Sequence, residues 1–286
     1  MGDFLIASLV DGLLLGFIYG IAAMGLSLIW GVMNVINLSH GPIIALGMFG
    51  VYLAFTGIGL NPYLSLVLVA VGGLLLGVLI YWGAVHRVID APHLSSLLAT
   101  FAVNMIIIGI GTALFTTSPR NVDFSLGSLA LGPITVPWTR VAAALASALV
   151  TALLYLFLQR TQPGKAIRAV SDNRAAAELM GIPTNWILAL AFGLGTMLAT
   201  ISGGLIATFF PFTILAGGSY ELKSFVICVL GGLGNPLGAL VGGLLLGALE
   251  GVIPAFMETS WVPVLEFVLF ILILLVRPQG LFGSKS

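Results

Sequence analysis

Charge is what this sequence has least of. Only 7% of its 286 residues are Asp, Glu, Lys or Arg, ten of each sign, while 59% are hydrophobic and the mean hydropathy is +1.18. A soluble domain of this length cannot cover its surface with so few charges. Cysteine is nearly missing too. Cys228 alone, inside an apolar run, excludes an intrachain disulfide and argues against redox chemistry. The three histidines, His40, His86 and His93, have no Cys or carboxylate at metal-ligand spacing, so no metal is expected. No Walker A pattern occurs, because Gly164-Lys165 lacks both the upstream glycine and the following Ser or Thr. The chain is therefore not expected to hydrolyse ATP or to hold a cofactor. Neither G-x-S-x-G nor H-E-x-x-H is present, which disfavours a membrane-embedded hydrolase. The opening "MGDFLIASLVDGLLLG" lacks a signal peptide's basic region and cleavage site and lacks the myristoylation serine, so its apolar run is expected to stay as a span.

What is present is length of apolar run. Runs at 4–31, 42–57, 63–85, 94–115, 140–159, 186–210, 224–253 and 261–277 approach or exceed the ~20 residues that cross a bilayer. The fold class expected is an all-α polytopic membrane protein, one transmembrane bundle over 1–286, with eight to ten transmembrane helices. Arg87, Arg160, Lys165, Arg168, Arg174, Arg277 and Lys285 lie in three connections, which the positive-inside rule assigns to the cytoplasm. Loop 116–139 and the N-terminus then lie outside and the C-terminus inside. The basic residues of 160–174 read as this topological signal, not as a nucleic-acid contact.

Two interruptions stand out. "NVINLSHGP" breaks the chain at 34–42, and "GGLGNPLG" breaks the run 224–253. Thirty residues rise about 45 Å, too long for one upright crossing and too short for two. Two half-helices or a re-entrant hairpin are expected there, starting and ending outside near Glu221 and Glu258. Broken helices point to a translocation pathway. Asp11, Asn34, Asn37, Ser39, His40, Asn104, Gly232, Asn235 and Pro236 are the candidate pathway residues. Helix capping is an equal alternative for the 34–40 cluster, and a structural hydrogen bond for Asp11. Glu250 and Glu266 read equally well as solvated helix ends or as functional groups. Gly12, Gly16, Gly20 and Gly243, Gly247, Gly251 form two stripes at four-residue spacing, suited to close helix packing.

"SDNRAAAELMGIP" at 171–183 is a polar island. Ser171 or Asp172 can cap a helix that Gly181 and Pro183 end. Ala175, Ala176, Leu179 and Met180 fall on one face, and Asn173, Arg174 and Glu178 on the other. So short a helix needs a docking surface. Its thin, alanine-rich apolar side suits a protein groove better than lipid.

"GKAIRAVSDNRAAAELMGI" (164–182) resembles the cytoplasmic coupling loop of branched-chain amino acid permeases of ABC importers. "GLSLIWGVMNVINLSHG" (25–41), "VLGGLGNPLGALVGGLLLGALE" (229–250) and "LVRPQGLFG" (275–283) are similar to the same family in the same order. The length suits the shorter of its two sister permeases. Trp30, Leu38-Ser39 and Asn235-Pro236 depart from the family's pattern, which leaves the substrate open: hydrophobic or branched-chain amino acids first, urea, short amides or aromatic acids second. The resemblance implies separate ABC ATPase subunits that hold the ATP, a second and related permease, an extracytoplasmic substrate-binding protein, and a bacterial-type inner membrane. It gives Arg168, Asp172, Asn173, Arg174, Ala176, Glu178, Leu179, Met180 and Gly181 the role of ATPase coupling within loop 160–185. An ion-coupled secondary transporter is the rival of another class, and it requires an ionisable relay in the bundle.

Overall fold

The structure is a computed structural model and describes residues 2–131, 134–277 and 279–283. Lys285 lies outside the described residues, as does Pro278 of "LVRPQGLFG". The helices are α1 (Gly2–Met33), α2 (His40–Ile58), α3 (Pro62–Ile80), α4 (His93–Phe115), α5 (Trp138–Arg160), α6 (Gln162–Asp172), α7 (Arg174–Leu179), α8 (Thr184–Ile206), α9 (Gly217–Gly231), α10 (Pro236–Val252) and α11 (Val262–Val276). A small antiparallel hairpin of β1 (Ser128–Leu131) and β2 (Ile134–Pro137) is the sole departure from an all-α chain among the described residues. Nine helical segments are long and apolar enough to cross a membrane, among the described residues.

α1 and α8 form the centre. Their apolar windows are 83% and 89% buried, against 17% for α4 and 11% for α11. Lipid tails give apolar side chains no reason to leave them, so a bundle closes through small residues and interhelical hydrogen bonds. α8 uses both devices. Thr196 Oγ1 donates to Gly73 O at 2.9 Å, Thr200 Oγ1 to Val69 O at 3.2 Å and Ser202 Oγ to Ile18 O at 3.0 Å. Gly25 and Gly195 face each other where α1 crosses α8.

The two glycine stripes meet. Gly12 lies against Gly247 and Gly251, Gly16 against Gly243, and Gly20 against Gly243 and Leu240, so α1 and α10 run antiparallel with backbone on backbone. "GLLLGFIYG" and "GLLLGALEG" are thus the two sides of one seam.

The second interruption differs from expectation in depth. The hairpin does begin and end on one face, but each of its arms is long and apolar enough to cross a membrane, rather than a half-helix. The helical segment begins at Ile214 instead of 224, and Ile214–Gly231 and Pro236–Ala255 each qualify as spans. Glu221 and Lys223 hide the first ten residues from a hydropathy reading. Lys223 is nevertheless accommodated, because Glu250 and Glu266 neutralise it inside the bundle.

Connections sort onto two faces. Residues 86–92, 160–183, 232–235 and 279–283 share one, held by Arg174 to Asp90, Ser171 to Gly31 and Asn235 to Phe282. Residues 59–61, 116–131, 134–137 and 207–213 share the other. There Tyr63 Oη donates to Thr139 O at 2.8 Å, and the backbones of Arg120 and Phe212 exchange two hydrogen bonds.

Candidate functional site

The first interruption is buried polar backbone. α1 ends at Met33, Asn34 takes a left-handed φ of 52°, and the chain re-enters the bundle without helix until His40. Backbone at such depth must find partners inside the protein. Asn37 Oδ1 accepts from Ser39 N at 3.1 Å and from Ser39 Oγ at 2.6 Å, a local turn just before α2 that leaves the first-turn amides of α2 without a side-chain cap. α4 supplies the rest. Thr100 Oγ1 donates to Ile36 O at 3.0 Å and accepts from Leu38 N at 3.3 Å, and Asn104 Nδ2 donates to Leu38 O at 2.7 Å. Thr100 escaped the sequence reading, although it stands one turn before Asn104 on the same side of α4. His40 Nε2 lies 3.0 Å from Ala22 O. A carbonyl only accepts, so Nε2 carries the proton. Four buried atoms here and nearby on α1 remain without a partner: Ser27 Oγ, Asn37 Nδ2, His40 Nδ1 and Asn104 Oδ1. Unpaired buried polar atoms cost free energy unless water or a ligand meets them.

The second interruption is elsewhere. Gly232 and Gly234 take positive φ, 103° and 81°, and Asn235 Oδ1 accepts from Gly238 N at 3.1 Å to start α10 beside Pro236. Leu281 N and Phe282 N donate to Leu230 O and Gly231 O at 2.9 and 3.2 Å, and Asn235 Nδ2 donates to Phe282 O at 3.1 Å. Gly234 packs on Gly31. A cavity of about 230 Å³ joins Gly31, Asn235 and Pro236 to Arg168 and Ser171 of α6. Gly232, Asn235 and Pro236 therefore sit beside the 160–183 connection, and the structure does not bring them together with Asn37 and His40.

That connection is two helices, not one spanning 172–181. Pro163 occupies the first turn of α6, which Thr161 caps through Gly164 N at 3.1 Å. Asn173, not Ser171 or Asp172, caps α7 through Ala176 N at 2.9 Å. Gly181, φ 81°, ends it as expected, with Ile182 N donating to Ala177 O. Ser171 Oγ is committed to Gly31 O at 2.6 Å. α7 rests on Ala177, and Arg174 pairs with Asp90 at 2.8 Å. Arg168, Asp172, Ala176 and Glu178 are exposed, and Leu179 and Met180 are 89% and 83% exposed at the tip.

Two further groups of charges are paired. Asp11 takes Arg140 Nη1 in an ion pair near the opposite face, with the guanidinium 5.7 and 5.4 Å from the Phe209 and Phe210 ring centres. Lys223 Nζ lies 2.7 Å from both oxygens of Glu250, 3.6 Å from Glu266 and 4.9 Å from the Tyr19 ring centre. Glu250 and Glu266 are thus ion-pair partners in the bundle, not solvated ends.

The family described as branched-chain amino acid transport system / permease component matches residues 8–276. The chain belongs to that family. The chain is 28% identical to the LivH high-affinity branched-chain amino acid permease protein of Salmonella typhimurium, over 99% of this chain and 97% of that one. It is 29% identical to LivH of Escherichia coli K12 over the same shares, and 28% identical to BraD of Pseudomonas aeruginosa over 97% and 95%. In fold the permease is similar to PsaBC from Streptococcus pneumoniae, solved with a Fab, at TM-score 0.52 and 16% identity over 98% of each chain.

Proposed function

We propose that this permease is one membrane subunit of an ATP-driven importer of branched-chain or other hydrophobic amino acids in a bacterial inner membrane. Separate ATPase subunits drive it through α6 and α7, a related permease pairs with it, and a soluble binding protein delivers substrate on the outside. The observation that carries the reading is the tip of α7. Two large apolar side chains, Leu179 and Met180, stand almost wholly exposed on a capped, backbone-fixed turn. They lie among the basic residues that the positive-inside rule assigns to the cytoplasm. A partner's groove would bury them and remove their apolar surface from water.

Movement imposed on α7 has defined routes inward. Arg174 hands it to the 86–92 connection through Asp90, and Ser171 hands it to α1 through Gly31. α1 in turn ends at the broken segment, where Asn37, with His40 at the start of α2 and Asn104 on α4, retains unpaired polar atoms among the described residues. Those groups are the natural lining of a pathway for a polar backbone carried by an apolar side chain. The rival, an ion-coupled transporter, needs a relay across the bundle, and one closed Lys223–Glu250–Glu266 cluster is not a relay.

Leu179→Asp and Gly181→Trp test the reading. Each should weaken ATPase docking by at least about 2 kcal/mol, roughly 30-fold, and abolish import while leaving membrane insertion unchanged. Parental import by either variant, or ATP-independent uptake by the purified chain, overturns it.

A further inference from the structure

On the face opposite α6 and α7 lies a cavity of about 540 Å³, bounded by residues 121–125, the start of α5 and the end of α8. Its walls bring Asp123, Arg140, Thr139, Val122, Phe124 and Phe209 to one space. Opposite charges sharing a cavity are notable where only 7% of residues are charged.

Each group keeps capacity to bind. Arg140 gives Asp11 a single nitrogen, Nη1, whereas a guanidinium carries five donors. The neighbouring Phe209 and Phe210 rings hold its plane. One Asp123 oxygen accepts from Asn121 Nδ2 at 2.7 Å, and the second takes no hydrogen bond from the described residues. Thr139 is buried, and its carbonyl is pinned by Tyr63, which fixes the start of α5 against α3. Val122, also buried, and Phe124 make the wall apolar. The cavity thus offers a planar donor for a carboxylate, an acceptor for an ammonium and an apolar surface. A fatty acid or an amine would use half of that set.

We infer that this cavity binds a free zwitterionic amino acid with an apolar side chain, as a holding site ahead of the buried break. The carboxylate pairs with Arg140, the ammonium with Asp123, and the side chain lies on Val122, Phe124 and Phe209. The inference rests on the transport reading above.

The test measures radiolabelled leucine binding to the assembled importer in nanodiscs without its binding protein, alongside leucine import by the complete system in vesicles. The parent should bind leucine, and neither 4-methylpentanoate nor 3-methylbutylamine should displace it, since each lacks one charge. Asp123→Asn, at an exposed position, should weaken binding about 10–100-fold, the weight of one charge-assisted hydrogen bond. Arg140→Lys keeps a charge for Asp11 but loses the fork, and it should weaken binding similarly. Parental affinity in both variants, or displacement by either singly charged analogue, overturns the site. So does the absence of leucine binding by a parent that imports leucine, and the transport reading then stands. Failure of the parent to import any hydrophobic amino acid overturns both.

Discussion

Lys223 has to serve two carboxylates with one charge. Its side chain is 18% exposed, those of Glu250 and Glu266 are 22% and 5% exposed, and the three sit on α9, α10 and α11. Removing the ammonium leaves two buried carboxylates facing each other, and breaking a buried pair costs about 3–5 kcal/mol. Lys223→Met should therefore lower the thermal unfolding midpoint of the detergent-solubilised protein strongly. Lys223→Met combined with Glu250→Gln should recover much of the loss, because the pair is then replaced rather than orphaned. Equal midpoints for parent and single variant would mean that the cluster does not hold α11 to the bundle. At this scale the sequence is legible only in part. Asn37, His40 and Asn104 are conspicuous because polar groups in apolar runs need a reason. Thr100 is not, since a threonine in a span is ordinary, and only the fold reveals that its hydroxyl holds Ile36 and Leu38. Lys223 is obscured for a different reason. Its partners are 27 and 43 positions away (Glu250 and Glu266), and no local pattern announces a pairing across three helices.

Among the elements, the seam between α1 and α10 is the sharpest case of sequence dictating packing. A Cβ on Gly16 would stand 2.7 Å from Gly243 O and 2.9 Å from Leu244 Cα, both backbone atoms that no rotamer change can move. Gly16→Leu should force the helices apart at a cost of about 1–3 kcal/mol or more, read as a lower midpoint in the same thermal assay. Gly109→Ala on α4, where a Cβ meets nothing within 4 Å, is the matched control. It should be neutral or gain up to about 1 kcal/mol from helix propensity. Parental stability of Gly16→Leu would mean that the seam is loose. The stripe spacing makes this pairing readable in advance. The 160–183 connection is less so, because Pro163 and Asn173 each have two structural uses. Proline both starts and stops helices, and asparagine is both cap and interior breaker, so the choice falls to Thr161 and Ala177 packing that sequence does not display. The α9–α10 hairpin is misjudged in depth for an equally physical reason: a hydropathy window counts Glu221 and Lys223 as exclusions, whereas the bundle accommodates them.

For the whole molecule, nine crossings and the charge pattern yield a single topology, with the starts of α1 and α5 on one side and α6, α7 and the 232–235 turn on the other. Cys228 is 1% exposed, so its replacement by serine gives a cysteine-free background for mapping. Cysteines at Ser125 and Met257 should react with an impermeant maleimide in intact cells. Cysteines at Asp172 and Leu233 should react only after permeabilisation. Labelling of Leu233→Cys from outside would overturn the nine-crossing arrangement. The number of spans is within reach of the sequence, but their centre is not. That α1 and α8 are interior while α4 and α11 lie at the periphery of the bundle is encoded in which glycines and threonines find each other, not in mean hydropathy.

The turn between α9 and α10 carries a consequence for biogenesis. Its carbonyls at Leu230 and Gly231, and the side chain of Asn235, are satisfied by residues 281–282, synthesised 47 positions after Asn235. Until α11 has been threaded and that segment released from the ribosome, the inner end of the hairpin is an open socket. The last crossing therefore acts as a closing stitch. A nascent chain stalled before it would leave those two carbonyls and the Asn235 amide without the partners that the finished protein supplies.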